Sequence, residues 1–279
     1  MDSPLVSTSW LAQHLEQPNL ILLNVSMAPV VGKNHQYEKP VYIPHTYLLD
    51  IEKDWFDANS SQLHAMPGVA QFKKLVTQLG ITKRDCIVLY DHQGVYSSPR
   101  IWWTFRTMGW RNVYVLDGGL PQWMAQKQPT VSEPEQPVST ATSQQEVTPD
   151  LQLCCDSSGV LHFLDHLEYV VVDARSPGRF SGKEPEPREG IRSGHIPSAK
   201  NIPYVELFDG YCFKSTSQLR SIFEEQHIQS HHKLIASCGS GITACIVLLA
   251  ATIAGYSNCI LYDGSWTDWG SNFQLPVEL

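Results

Sequence analysis

Short apolar runs alternate along the chain with longer helix-like stretches, and the alternation occurs twice in the same order. The first run, Asn19-Leu20-Ile21-Leu22-Leu23-Asn24-Val25, matches Glu168-Tyr169-Val170-Val171-Val172-Asp173-Ala174. Runs of this length, closed by a small polar residue, predict buried strands. Ile43-Pro44 and Ile196-Pro197 come next. Cys86-Ile87-Val88-Leu89-Tyr90-Asp91 then pairs with Lys233-Leu234-Ile235-Ala236-Ser237-Cys238, each predicting a strand that enters a Gly-containing loop and then a helix. Tyr114-Val115-Leu116-Asp117-Gly118-Gly119 and Ile260-Leu261-Tyr262-Asp263-Gly264-Ser265 form a further strand and turn, each followed at the same offset by a Trp, Trp123 and Trp269.

Four matched landmarks in one order mark an internal duplication. Between the copies, residues 126–150 are rich in Pro, Ser, Thr, Gln and Glu, which predicts an exposed linker. The chain therefore divides into a domain at 1–125, a linker at 126–150 and a domain at 151–279. Strands alternating with helices predict an α/β fold, with a parallel sheet flanked by helices in each copy. Ligands of such sheets bind beyond the carboxyl ends of the strands, where Asp91 and Cys238 fall.

Composition narrows the classes. The 279 residues are 42% hydrophobic, which supplies a core for each domain and excludes a disordered chain. The net charge of −8, with no Lys/Arg-rich block, argues against nucleic acid as a partner. Residues 244–254 form the longest apolar stretch, well short of the ~20 residues that span a bilayer, so no membrane association is expected. Met1-Asp2-Ser3-Pro4 opens neither a secretory signal nor an Arg-rich transit peptide, so a cytoplasmic protein, acting as a monomer, is expected. The seven cysteines show no Cys-x-x-Cys pair and no repeated Cys/His spacing, so neither structural zinc nor a disulfide framework is expected.

One cysteine stands apart. Cys238-Gly239-Ser240-Gly241-Ile242-Thr243 joins a predicted strand to a predicted helix at 244–254, which ends at Gly255, a suitable C′ residue. A short loop with two glycines can turn the N–H groups of Gly239, Gly241, Ile242 and Thr243 around one point, and Gly239 is a candidate for a positive φ. A thiolate at its start would be stabilised by those donors and by the helix dipole, making Cys238 a candidate nucleophile. Cys86, Cys154, Cys155, Cys212, Cys245 and Cys259 read instead as small buried hydrophobes. A Cys-dependent phosphatase would need Arg six residues after the Cys to clamp phosphate, and Ala244 stands there.

These residues carry a family resemblance. The two repeats, the active-loop Cys in the second alone, Ser193-Gly194-His195-Ile196-Pro197 before it and Asp263-Gly264-Ser265-Trp266 after it resemble the tandem rhodanese-like domains of sulfurtransferases. The loop is similar to that of the 3-mercaptopyruvate-specific members, whereas thiosulfate-specific members carry basic residues where Gly239 and Ser240 stand. Tyr96-Ser97-Ser98-Pro99-Arg100-Ile101-Trp102-Trp103 in the first repeat extends the similarity over nearly the whole chain.

The resemblance implies sulfur transfer from a small 2-oxo acid thiol through a Cys238 persulfide to a thiol acceptor such as thioredoxin, or to cyanide, without metal or organic cofactor. It places substrate-binding arginines at Arg179 and Arg188; read without it, the two would be exposed arginines balancing Glu184, Glu186 and Glu189. It implies a Ser-His-acid arrangement of Ser240, His64 and Glu52. Asp91 in the place of Cys238 implies a silent first domain. His195, Asp173, Asp263 and the Trp pair read as framework. Two other functions fit the same chain: a thiosulfate:cyanide sulfurtransferase, and a sulfur-relay or docking protein with no turnover on small donors.

Overall fold

The computed structural model describes residues 3–28, 37–136 and 146–279. Its contacts divide the chain into two compact units, one comprising Met1–Ala58, Met66–Asp150 and Gly210–Cys212, the other Asn59–Ala65, Leu151–Asp209 and Phe213–Leu279. The described parts of the predicted linker are tied to the first unit: Tyr42 and Val131 exchange both backbone hydrogen bonds at 2.9 Å, and Asp150 N–H donates to Thr107 O at 2.7 Å. Residues 137–145 of that linker lie outside the described residues.

In the first unit β1 (Leu5–Val6), β2 (Leu20–Asn24), β3 (Thr46–Leu48), β4 (Cys86–Tyr90) and β5 (Val113–Leu116) make a sheet in the order β1-β5-β4-β2-β3. Every pair in it is parallel. Its helices are α1 (Thr8–His14), α2 (Val69–Gln78), α3 (Ser98–Thr107) and α4 (Gly119–Ala125). The second unit contains β6 (Cys154–Cys155), β7 (Tyr169–Asp173) and β8 (Lys200–Asn201); a ribbon of β9 (Phe208–Asp209) and β10 (Cys212–Phe213) follows in the chain, then β11 (Lys233–Ser237) and β12 (Cys259–Tyr262). Its sheet runs β6-β12-β11-β7-β8, again wholly parallel. Its helices are α5 (Ser157–Phe163), α6 (Pro177–Phe180), α7 (Thr216–Glu225), α8 (Ala244–Ile253) and α9 (Ser265–Ser271). The duplication in sequence is thus a duplication of topology, an α/β fold with two parallel sheets flanked by helices.

The central strands are apolar throughout because helices cover both faces; all five residues of β4 are buried. α8 is apolar on every side, so it cannot face water and packs as a core helix, with Ile246, Val247, Leu248 and Leu249 at most 1% exposed. Each of those side chains contributes roughly 1.5–3 kcal/mol of gross burial. α8 stops at its Ala254 C-cap, and Gly255 follows with φ 94°. Among the described residues no helix is long and apolar enough to cross a membrane.

The Trp pair closes equivalent corners. Trp123 Nε1–H donates to Pro129 O at 2.8 Å and Trp269 Nε1–H to Pro276 O at 2.7 Å, both rings fully buried. In each sheet the chain winds outward in both directions from one strand pair, β4/β2 or β11/β7, so the loops after β4 and β11 lie at the topological switch point.

The loop after β4 packs so tightly against the start of α4 that residue 119 must be glycine. Gly119 has φ 52°, and a Cβ there would overlap the Gly94 carbonyl oxygen and lie 2.6 Å from the Asp91 carbonyl oxygen. Gly119→Ala should therefore destabilise the protein by about 3 kcal/mol, from backbone strain and overpacking together. Thermal or urea unfolding checks this, and an unchanged midpoint would contradict the packing described.

Candidate active site

The equivalent positions after β4 and β11 are filled differently. In the first unit Asp91 is fully buried, and its carboxylate accepts from the N–H groups of Tyr96, Ser97 and Ser98 at 2.8, 3.1 and 3.0 Å and from Ser98 Oγ at 2.7 Å. Gln93 N–H donates to its other oxygen at 2.9 Å. A strand-to-helix loop of this kind is an anion cradle, and here the anion is the protein's own side chain.

In the second unit Cys238 occupies that place, 2% exposed, immediately after β11. The start of α9 fixes its peptide units. Cys238 N–H donates to Ser265 Oγ at 3.1 Å, and Trp266 N–H donates to Cys238 O at 2.9 Å. Gly239 O accepts from Thr267 N–H at 2.8 Å and from Thr267 Oγ1 at 2.5 Å. Ser265 holds φ 51°, a costly conformation for a residue with a side chain, while its hydroxyl donates onward to Tyr262 O at 2.9 Å. The left-handed glycine of the loop is Gly241, φ 80°, and not Gly239. Cys245 is fully buried in α8, and its thiol donates to Gly241 O at 3.3 Å. The carbonyls of Ile242 and Thr243 accept from the amides of Cys245 and Ile246, starting the helix behind the loop.

Gly239 is small for another reason. A Cβ there would stand 3.3 Å from Arg179 Nη2 and 4.0 Å from Arg188 Nη1. Both arginines converge on the residue after Cys238. They are not exposed charges: the Arg179 side chain is 13% exposed, and Arg188 is half-buried. Arg179 sits in the single turn α6, where its amide donates to the Ser176 N-cap hydroxyl at 3.3 Å.

His64 Nδ1 lies 2.9 Å from Ser240 Oγ, and Ser240 is 4% exposed. The turn that carries His64, Asn59–Ala65, belongs to the second unit, although it precedes α2 in the chain. His64 holds φ 56°, a strained conformation for a residue other than glycine. Glu52 is exposed on the π-helical turn Ile51–Trp55 of the first unit, where it lines a cleft with Tyr37, Tyr42 and His92.

Three groups around the loop were not singled out from sequence. Arg175 is 2% exposed, forks onto Asp173 through Nε and Nη2 at 3.0 and 2.6 Å, reaches Glu186 through Nη1 at 2.7 Å and lies 4.4 Å over the Trp266 ring. Burial alone would lower its pKa, but Asp173 and Glu186 outweigh burial and hold it above its ordinary value. Glu186 also accepts from Arg179 Nε at 3.1 Å and Nη2 at 2.5 Å. Burial pushes the Tyr204 phenol up, and the neighbouring Cys238 adds to that rise. Asp173 and His195 are framework groups, the latter stacked on Phe180 at 3.9 Å with Nδ1 2.9 Å from Phe180 O. Among the described residues no cluster of three or more His, Cys, Asp or Glu could hold a metal ion.

A cysteine at the switch point of one parallel sheet, a carboxylate at the same point of its duplicate, and cationic side chains beside the cysteine define a duplicated α/β protein with one candidate nucleophile loop. The profile of the Rhodanese-like domain matches residues 7–126 and 160–272, and the chain belongs to that family. It is 36% identical over 298 residues to thiosulfate/3-mercaptopyruvate sulfurtransferase 1, mitochondrial, of Arabidopsis thaliana, covering 99% of this chain and 78% of that protein. It is 37% identical over 274 residues to human 3-mercaptopyruvate sulfurtransferase, covering 95% and 91%. The crystal structure of SseA from Escherichia coli, described as a 3-mercaptopyruvate sulfotransferase, superposes with a TM-score of 0.80 at 29% identity, covering 95% and 99%. The chain is an enzyme, a sulfurtransferase of the 3-mercaptopyruvate/thiosulfate type.

Proposed function

We propose that the enzyme takes sulfur from 3-mercaptopyruvate onto Cys238 and passes it to a thiol. The observation that carries this choice of donor is the His64–Ser240 contact at 2.9 Å, two residues beyond the nucleophile. A thiol donor brings a proton that must be moved, and an imidazole–hydroxyl pair is suited to moving it; thiosulfate brings none. The strained φ of His64 fits a residue held in place for chemistry.

The Cys238 thiolate attacks the donor sulfur. The carbon–sulfur bond breaks, its electron pair passes to the carbon as the enolate of pyruvate, and protonation gives pyruvate. Cys238 keeps the sulfur as a persulfide, whose proton leaves through Ser240 and His64. Arg179 and Arg188 hold the carboxylate and the oxygen on which enolate charge develops. An acceptor thiolate, from thioredoxin or a small thiol, then removes the outer sulfur and restores the Cys238 thiolate. Nothing in this sequence of steps calls for a metal or an organic cofactor. Asp91 keeps the first unit silent, because a carboxylate forms no persulfide and already fills its own cradle. We further propose a monomer in the reducing cytoplasm, in keeping with seven free thiols, that binds neither nucleic acid nor membranes.

Initial rates with mercaptopyruvate and with thiosulfate test the reading: mercaptopyruvate should be the better donor by kcat/KM, and a preference for thiosulfate would overturn it. Ser240→Ala should cost about 10²-fold in kcat with mercaptopyruvate, the low end for removing an acid–base group, and far less with thiosulfate. Equal losses with both donors would show that Ser240 moves no proton.

The loop also makes a specificity switch testable. Gly239→Arg with Ser240→Lys removes the proton relay and adds two cations beside the donor, so activity should shift from mercaptopyruvate toward the dianionic thiosulfate. The obstacle is crowding of Arg179, 3.3 Å from the new Cβ, and not backbone strain. Steady-state kinetics of Ser240→Lys alone, which leaves Gly239 untouched, separate the two effects. Retained preference for mercaptopyruvate in folded double mutant would show that this loop does not set the donor.

A further inference from the structure

Arg179 is not an isolated cation. Its guanidinium has five N–H donors in a fixed fork, and Glu186 engages the Nε and Nη2 side of that fork through both carboxylate oxygens. The edge turned to Gly239 therefore presents the Nη2 and Nη1 ends. Glu186 in turn is held by Arg175, and Arg175 by Asp173 and by the Gly194 carbonyl at 2.8 Å. The Glu186 and Arg175 side chains are 3% and 1% exposed. The relay runs from the end of β7 to the loop after β11, and each link is fixed by the one before it.

Two carboxylates and two guanidiniums make this relay neutral as a whole. Removing charged partners from water makes their mutual neutralisation strong, because little solvent is left to screen it. A donor beside Gly239 therefore meets Arg179 with Glu186 directly behind it. That arrangement gives a directed pair of N–H donors with a damped field, which suits a singly charged carboxylate better than a dianion.

We propose that Glu186 is a positioning residue that acts through Arg179, aiming its guanidinium at the donor's carboxylate and biasing the site toward singly charged donors. This rests on the reading that Arg179 contacts the donor. Replacing Glu186 by Gln keeps the size of the side chain, loses one of two acceptors, and leaves the relay with a net positive charge. Mercaptopyruvate turnover falls because Arg179 is no longer aimed; thiosulfate suffers less because added positive charge attracts a dianion.

The test is a double-mutant cycle read with both donors: wild type, Glu186→Gln, Arg179→Ala and the double mutant. Glu186→Gln should lower kcat/KM for mercaptopyruvate and move the mercaptopyruvate-to-thiosulfate ratio toward thiosulfate by about tenfold, roughly the coupling of one contacting charged pair. In the Arg179→Ala background the same substitution should move that ratio far less, leaving only the part due to the added charge, because no guanidinium remains to be aimed. A structural role alone would lower both donors equally in both backgrounds, and that result overturns the proposal. Should Glu186→Gln fail to fold by thermal melting, the same cycle is run with Glu186→Asp, which keeps the charge but withdraws the carboxylate from Arg179. Its loss with mercaptopyruvate should disappear when Arg179 is Ala, and an additive loss overturns the proposal. Wild-type mercaptopyruvate kinetics in Arg179→Ala would instead defeat the reading that Arg179 binds the donor, independently of Glu186.

Discussion

Cys238→Ala should abolish sulfur transfer, with at least about a 10³-fold loss in kcat for either donor, as expected when a covalent nucleophile is removed. The loop geometry singles out this thiol from the seven. Cys238 alone follows the last residue of a central strand at the switch point, with both of its peptide groups fixed by Ser265 and Trp266. Alanine keeps the backbone and both of those hydrogen bonds, so the fold should be retained. Cys86→Ala, at the start of β4 in the first unit, is the matched control and should keep most activity. Substantial turnover by Cys238→Ala would remove the persulfide from the mechanism, and equal losses in Cys86→Ala would point to a fold defect.

The second large effect is expected at the arginines. Arg188→Ala and Arg179→Ala should each cost about 2–5 kcal/mol of transition-state stabilisation, the range for truncating one partner of a desolvated charged hydrogen bond. That corresponds to a loss of roughly 30-fold to several thousand-fold in kcat/KM. Arg179→Ala also strips Glu186 of a partner, leaving a buried carboxylate that Arg175 still holds, so part of its cost will appear as lowered thermal stability. Wild-type kinetics with mercaptopyruvate in both variants would mean that its carboxylate is bound elsewhere.

The strands, the duplication and the place of the loop cysteine were legible because they depend on local pattern. Apolar runs at 20–24, 86–90, 169–173 and 233–237 are the observed β2, β4, β7 and β11, and the apolar block from 244 is α8. Cys238 and Asp91 follow directly from where two of those strands end. The charged relay was not legible. Asp173 closes β7, but Arg175, Arg179 and Glu186 lie in irregular chain or a single helical turn, where no period shows which side chains face inward, and so Glu186 read as a surface balance to the arginines. The left-handed glycine of the active loop fell at Gly241 instead of Gly239, because two glycines so close together satisfy the same turn pattern and only the packing of Arg179 over Gly239 separates their roles. His64 was reached by resemblance alone; its turn has no hydrophobic period, and its place beside Ser240 is a tertiary fact. Asp91 was legible as the counterpart of Cys238, but not as an anion gripped by the amides at 96–98.

Whether Cys238 carries the transferred sulfur is tested most directly by intact-mass measurement after brief incubation with mercaptopyruvate, without an acceptor. The wild-type protein should gain the mass of one sulfur atom, a thiol acceptor should remove it, and Cys238→Ala should gain nothing. A sulfur adduct of equal yield on Cys238→Ala, or none on active wild-type enzyme, would contradict that role.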